Sequence, residues 1–298
     1  MKTERNILLA FILNFAFSLF EWIGGSITGS VAVLSDAVHD LGDAASIGAA
    51  YFLEKKSRKQ PDDQYTYGYA RYSVLGGFLT SAILLIGSAA MICNAIGRII
   101  TPKPIHYDGM LIFAVVGLCV NLCAAFVSRK GDSLNQKAVN LHMLEDVLGW
   151  LIVLVGTVVM KFTDFALLDP LMSIGVSIFI LIGALKNLSE IAAVFLEQVP
   201  CGIHIAEVRT YVSKIEGVQD VHHIHIWSLD GQNHCATMHV VTNENAVQIK
   251  QAIRAALQTF EIGHVTIETE IANELCSEPQ CRAVYHDADI SHTHHHHH

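Results

Sequence analysis

The stretch Ser35-Asp36-Ala37-Val38-His39-Asp40-Leu41-Gly42-Asp43 puts ionisable side chains inside an apolar run from Val31 to Leu53. That run is long enough to cross a bilayer as one helix. His39 and Asp43 are four residues apart, so they share a helix face with roughly 6 Å of rise between them. The same pair recurs as His142 and Asp146 in another membrane-length run ending near Met160. A carboxylate in hydrocarbon costs roughly 2.5–3.5 kcal/mol on insertion scales, so such groups are paired and functional. Two imidazoles and two carboxylates suit a four-coordinate divalent metal, zinc above all. One His-x-x-x-Asp alone would fit an interhelical polar contact; two copies on two spanning helices favour a metal site.

Composition agrees. The chain has 298 residues, 52% hydrophobic and only 16% charged, with a mean hydropathy of +0.40. That is too apolar for an ordinary soluble protein. A net charge of −9 is no nucleic-acid signature, and no basic patch with interleaved aromatics occurs outside one short loop. The seven cysteines are scattered, several in apolar helices, which is no secreted disulfide framework. The apolar run after Met1-Lys2-Thr3-Glu4-Arg5 is too long for a signal-peptide core and reads as a retained first helix.

Hydropathy gives six spans: Ile7–Gly25, Val31–Leu53, Val74–Ile99, Met110–Val127, His142–Met160 and Pro170–Leu188. Lys2, Arg5, Lys55, Lys56, Arg58, Lys59, Arg71, Arg129, Lys130 and Lys137 fall on one side; only Arg98, Lys103 and Lys161 fall on the other. The positive-inside rule then makes both termini cytoplasmic. The first span carries Asn14 and, near its outer end, Glu21, which either reaches interfacial water or serves the ion path. The loop Tyr65-Thr66-Tyr67-Gly68-Tyr69-Ala70-Arg71-Tyr72 reads as an aromatic anchor with cationic neighbours. Cys119 and Cys123 share a helix face without acids or histidines nearby and read as packing. The fifth helix is expected to begin near Ser133, placing its pair deeper in the protein. If the second and fifth helices pack side by side, His39 and Asp146 form an outer level and Asp43 and His142 an inner one. Asp40 and Glu145, each one residue from a ligand, should face elsewhere. Asp169-Pro170 reads as N-cap and first helical residue of the sixth helix.

Beyond Pro200 the composition becomes that of a small soluble domain. A helix over Ile205–Ile215, strands over Val221–Leu229 and His234–Val241 about the turn Asp230-Gly231-Gln232-Asn233, a helix over Ala246–Phe260 and a strand over His264–Ile271 give the order α-β-β-α-β. This is an α+β, ferredoxin-like open-faced sandwich. His222, His223, His225, His234, His239 and His264 fall on or beside its strands; with Glu270, Cys276 and Cys281 they offer a second set of metal ligands. The expected organisation is a six-helix transmembrane domain over 1–200, a metal-binding domain over 201–275 and a Cys/His-containing tail over 276–298. The run His294–His298 reads equally as a tag or as native sequence.

These residues resemble the cation diffusion facilitator family, in its bacterial zinc-efflux branch. The resemblance rests on Gly24-Gly25 through Asp43, Tyr65-Thr66-Tyr67-Gly68-Tyr69, His142 to Asp146, Asp169-Pro170 and His225-Ile226-Trp227-Ser228, and covers nearly the whole chain. It implies a homodimer in the cytoplasmic (inner) membrane that exports Zn2+ in exchange for protons, with a metallochaperone-like cytoplasmic domain. It maps the transport ligands to His39, Asp43, His142 and Asp146, and the cytoplasmic ligands to His222, His239, His264 and Glu270. Ser73 stands where an acid often follows the tyrosine loop, and His204 where an Asp usually caps the helix. Cys276 and Cys281 are spaced more widely than a Cys-x-x-Cys pair.

Rival readings are a membrane metallohydrolase, which would need a His-Glu-x-x-His-like element that the sequence lacks, and a membrane metal sensor. Within transporters, Cd2+, Co2+ or Fe2+ would compete with zinc for the same ligands.

Overall fold

The computed structural model describes residues 2–28, 31–101, 110–128, 133–162 and 167–272. Each of the six apolar runs forms a long helix: α1 (Lys2–Thr28), α2 (Val31–Ser57), α3 (Arg71–Ile100), α4 (Met110–Ser128), α5 (Leu134–Phe162) and α6 (Leu168–Phe195). α1, α3, α5 and α6 are long and apolar enough to span a membrane along most of their length, and α4 contributes the apolar segment Val115–Val127. α2 is as long as α1, but Asp36, Asp40, Asp43 and Glu54 interrupt its apolar character. Large side chains such as Phe15, Phe78, Ile86, Phe179 and Ile182 are exposed on the helix surfaces, the inverse of a soluble core and the right covering for lipid. The protein is a multi-pass membrane protein with a small α+β domain after the last span.

α5 begins at Leu134, as expected, eight residues before His142. α6 begins earlier than the sequence suggested. Leu167, not Asp169, is its N-cap, and Pro170 is the third helical residue. The first four amides of a helix lack intrahelical acceptors, so a proline is tolerated anywhere in that turn.

The helices pack mainly as α1 with α2, α3 with α6 and α4 with α5. At the end of α2 a buried carboxylate joins three helices. Glu54 Oε2 accepts from Ser73 Oγ of α3 at 2.6 Å, from Asn135 Nδ2 of α5 at 3.2 Å and from Ser133 Oγ, just before α5, at 3.5 Å. Asn135 Nδ2 also reaches Ala50 O at 2.9 Å, and Asn187 of α6 donates to Ser81 Oγ of α3 at 2.7 Å. In apolar surroundings each donor satisfies an oxygen that would otherwise be stranded. Close approach is needed here: a Cβ on Gly77 would lie 3.0 Å from backbone atoms of Leu134 and Asn135.

The tyrosine loop between α2 and α3 folds on itself. The rings of Tyr65 and Tyr69 lie 4.3 Å apart, and Lys56 and Lys59 sit 4.1 and 4.4 Å over Tyr72 and Tyr69. Lys59 Nζ and Tyr69 Oη both donate to Asp62 Oδ2 at 2.7 Å, holding that carboxyl well below the usual range. Its cations are thus partly engaged within the loop.

The chain divides after Gln198, and the second unit begins at Val199. It contains α7 (Ile205–Val212), β1 (Asp220–Ser228), β2 (His234–Val241), α8 (Ala246–Leu257), a 3-10 turn (Gln258–Phe260) and β3 (Ile262–Glu270), in the order read from the sequence. The sheet order is β1-β2-β3, with β2 and β3 parallel. The β1–β2 hairpin closes with Leu229 N donating to Asn233 O at 2.9 Å, while Asp230 Oδ1 accepts from the amides of Gln232 and Asn233. Val208 and Val212 of α7 and Ile249, Ile253 and Leu257 of α8 pack on Ile224, Ile226, Met238, Val240 and Ile267. Each such side chain contributes about 1.5–3 kcal/mol when fully buried. Asn245 caps α8, accepting from the amide of Val247 at 3.0 Å. His204 occupies the N-cap of α7 without a side-chain capping bond.

Both helices cover one face of the sheet. Along β1 the buried positions run Val221, Ile224, Ile226 and Ser228: the alternation skips once, and His223 takes a φ of 53° at the skip. An extra residue in the strand, a β-bulge, explains both. It leaves His222 and His223 on the same, helix-free face.

Candidate metal centres

The first centre lies among the transmembrane helices. Asp43 of α2 and His142 and Asp146 of α5 converge, with one ligand atom from each within 4.8 Å of the others. The i, i+4 spacing on α5 sets His142 below Asp146 on one face. His142 Nε2 faces Asp43 Oδ1 at 3.7 Å. Both residues are buried, at 2% and 8% exposure. His39 lies one turn before Asp43 on α2, but its side chain falls outside the described residues.

One expectation is corrected here and one is narrowed. Glu145 does not face away: its Oε2 comes within 4.0 Å of His142 Nδ1, because residues three apart on a helix are also neighbours. Of the two readings of Glu21, the one that reaches interfacial water is not met: it is 1% exposed. Together Asp43, Asp40, Glu145 and Glu21 surround Asp146 with negative charge. Sequence reasoning also passed over Asn14, which is 2% exposed and donates from Nδ2 to Asp146 Oδ2 at 3.3 Å. Its only signal was a carboxamide in the middle of an apolar run.

Such a site offers a nitrogen ligand and carboxylate oxygens in an environment that disfavours unbalanced negative charge. A divalent cation supplies the balance. Glu145 stands on the side of the far nitrogen of His142, where a metal-bound imidazole usually finds its supporting carboxylate, but at 4.0 Å it is beyond hydrogen-bond distance.

The second centre is on the helix-free face of the sheet. His222, His239 and Glu270 place ligand atoms within 4.8 Å of one another. Glu270 Oε1 lies 2.7 Å from His239 Nδ1 and its Oε2 lies 3.3 Å from His222 Nε2. Asp220 reaches His222 Nδ1 at 3.0 Å, and Glu268 reaches His239 Nε2 at 3.4 Å. These two acids were not singled out in the sequence, although each stands two residues from a ligand along a strand. The His223 ring centre lies 4.6 Å from that of His239 and 5.1 Å from that of His225, tilted against both. Partial burial, and then the neighbouring His223 and His239, lowers the pKa of His225.

His264 is not brought into this cluster. It pairs with Cys235 at one end of β3, whereas Glu270 pairs with Val241 at the other. Six residues of strand separate them by about 20 Å. Cys276, Cys281 and the terminal histidines lie outside the described residues.

A bundle of spanning helices with a candidate cation site inside it, followed by a small α+β domain with a second candidate ligand set, fits a membrane transporter of metal cations. Residues 7–196 match the family model described as the cation efflux transmembrane domain, and residues 200–272 match the cation efflux protein cytoplasmic domain. The chain belongs to the cation efflux family. It is similar to the zinc transporter ZitB of Yersinia pestis, with 32% identity covering 99% of this chain and 96% of that protein. It is also similar to the metal cation efflux system protein CzcD of Cupriavidus metallidurans, with 32% identity over 90% of this chain and 87% of that one. The cadmium, cobalt and zinc/H(+)-K(+) antiporter of Bacillus subtilis is 29% identical over 90% of this chain and 89% of its own length.

Proposed function

We propose that the protein exports Zn2+ from the cytoplasm across the inner membrane in exchange for protons, by alternating access, as a homodimer with both termini cytoplasmic. The observation that carries this reading is the convergence of Asp43, His142 and Asp146 inside the transmembrane helices. With His39, four residues before Asp43 in the sequence, the proposed set comprises two imidazoles and two carboxylates. The names of the zinc transporter and zinc/H(+)-K(+) antiporter relatives support both the metal and the proton.

Metal ligands must be deprotonated, so protons and zinc compete for the same side chains. Moving Zn2+ outward against an inside-negative potential costs about 2.3 kcal/mol per charge at about 100 mV, hence about 4.6 kcal/mol for both. Each inward proton cancels one of these charges. Returning the empty site with its carboxylates ionised would strand charge in the bilayer, which favours protonation before the return. His39 and His142 are the leading proton carriers, with Asp43 and Asp146 sharing the load. The His222–His239–Glu270 cluster lies outside the spanning helices and tunes transport by sensing cytoplasmic metal.

The test is zinc flux in proteoliposomes under an imposed pH gradient with the potential clamped. The expected result is flux that follows the gradient, with proton movement accompanying zinc. Flux indifferent to the gradient would remove the coupling. The Bacillus subtilis relative, named for cadmium and cobalt as well as zinc, favours testing those cations in the same vesicles.

A further inference from the structure

We propose that Asn14 of α1 belongs to the cargo site, where it positions Asp146 and supplies a carbonyl oxygen to the cation; this rests on reading Asp43, His142 and Asp146 as cargo ligands. Three observations carry it. Asn14 is 2% exposed in the middle of a helix that is otherwise apolar from Ile7 to Phe17. Its Nδ2 donates to Asp146 Oδ2 at 3.3 Å, across a sequence separation of 132 residues. Its Oδ1 is buried and has no hydrogen-bond partner among the described residues.

An ionised carboxylate only accepts, so with Asp146 deprotonated, as a metal ligand must be, the Nδ2–H group is the one turned toward it. That fixes the opposite edge of the amide as the carbonyl. The two atoms of one carboxamide are about 2.3 Å apart, and Nδ2 lies 3.3 Å from Asp146 Oδ2, so Oδ1 is within about 5.6 Å of that carboxylate oxygen. A buried carbonyl without a donor is a liability that a bound cation removes. An amide oxygen is also a neutral ligand for a divalent metal. It adds coordination without adding to the negative charge already contributed by Asp43, Asp40, Glu145 and Glu21 around Asp146. Ser18 is bonded to the backbone carbonyl of Asn14 at 2.9 Å, so the side-chain oxygen is left to the site.

The experiment measures zinc flux in proteoliposomes of the full chain for the parent, Asn14→Leu, Asn14→Gln and Asp43→Ala, normalised to folded protein. Asn14→Leu keeps the bulk and loses both polar atoms. It is expected to raise the KM for zinc about tenfold or more, the usual loss for a supporting metal contact, while kcat stays within about twofold. Asn14→Gln, which keeps the amide, is expected to recover part of the loss. A purely structural role would lower the yield of folded transporter and leave KM unchanged. An unchanged KM in Asn14→Leu, with flux lost in Asp43→Ala, overturns the inference alone. Parent-like flux in Asp43→Ala overturns the site on which it rests. Should Asn14→Leu not fold, Asn14→Ser is read by the same criteria.

Discussion

Ser73 Oγ donates to Glu54 Oε2 at 2.6 Å, tying the first turn of α3 to the last turn of α2. The oxygen that Ser73 serves is already approached by Asn135 and Ser133. A hydroxyl completes this arrangement, whereas an acid at position 73 would set two carboxylates against each other.

Ser73→Ala should therefore cost about 1.5–3 kcal/mol, the range for a hydrogen bond to a charged acceptor, and Ser73→Glu should cost more. Thermal unfolding in detergent reads both. A melting temperature unchanged in Ser73→Ala would mean that the bond contributes nothing.

Asp43→Ala, His142→Ala and Asp146→Ala should each abolish zinc flux while leaving the fold intact, since each removes one of few ligands. Glu145→Gln should act more gently, with about 10–100-fold weaker zinc affinity, because it stands only on the side of the far nitrogen of His142. Near-normal flux in two of the three alanine variants would defeat the ligand assignment.

On the sheet, replacing His222 and His239 together should change how transport depends on metal concentration without stopping it. His264→Ala alone should leave zinc affinity at this cluster unchanged, because β3 carries it to the opposite end of the strand. Complete loss of transport in a folded His222/His239 double variant would place the cluster on the transport path.

The pKa of His225 is lowered in the folded state. Below its unfolded value of about 6.5 the unfolded chain binds more protons than the native one, so native stability falls as pH drops through that value. Above it the effect vanishes. In metal-free protein, His225→Gln should flatten this fall between about pH 5 and pH 7, measured as the urea midpoint. Identical slopes would show that His225 is not held neutral.

The sequence made the six helices legible because crossing a bilayer demands long apolar runs, and made His142 and Asp146 legible because i, i+4 spacing fixes a shared face. Asn14 and Glu145 were not read as site residues, and Glu21 was left between interface and ion path, for their roles depend on which helices meet, and no periodicity encodes that. On the sheet, composition gave the ligand types, but position along parallel strands decided that His264 stands apart. Residue counting alone also could not reveal the skip at His223, since it breaks the alternation on which strand reading relies.

That skip has a consequence for how the cytoplasmic sheet varies. A left-handed φ at a non-glycine residue costs about 1–2 kcal/mol, and here it keeps one more imidazole beside His239. Deleting His223 would put Val221 and Ile224 back in step, relieve that conformation and leave every core contact of β1 in place. Losing or regaining a single codon is therefore enough to change the number of imidazoles on the metal-facing side, with nothing in the hydrophobic interior to register the change.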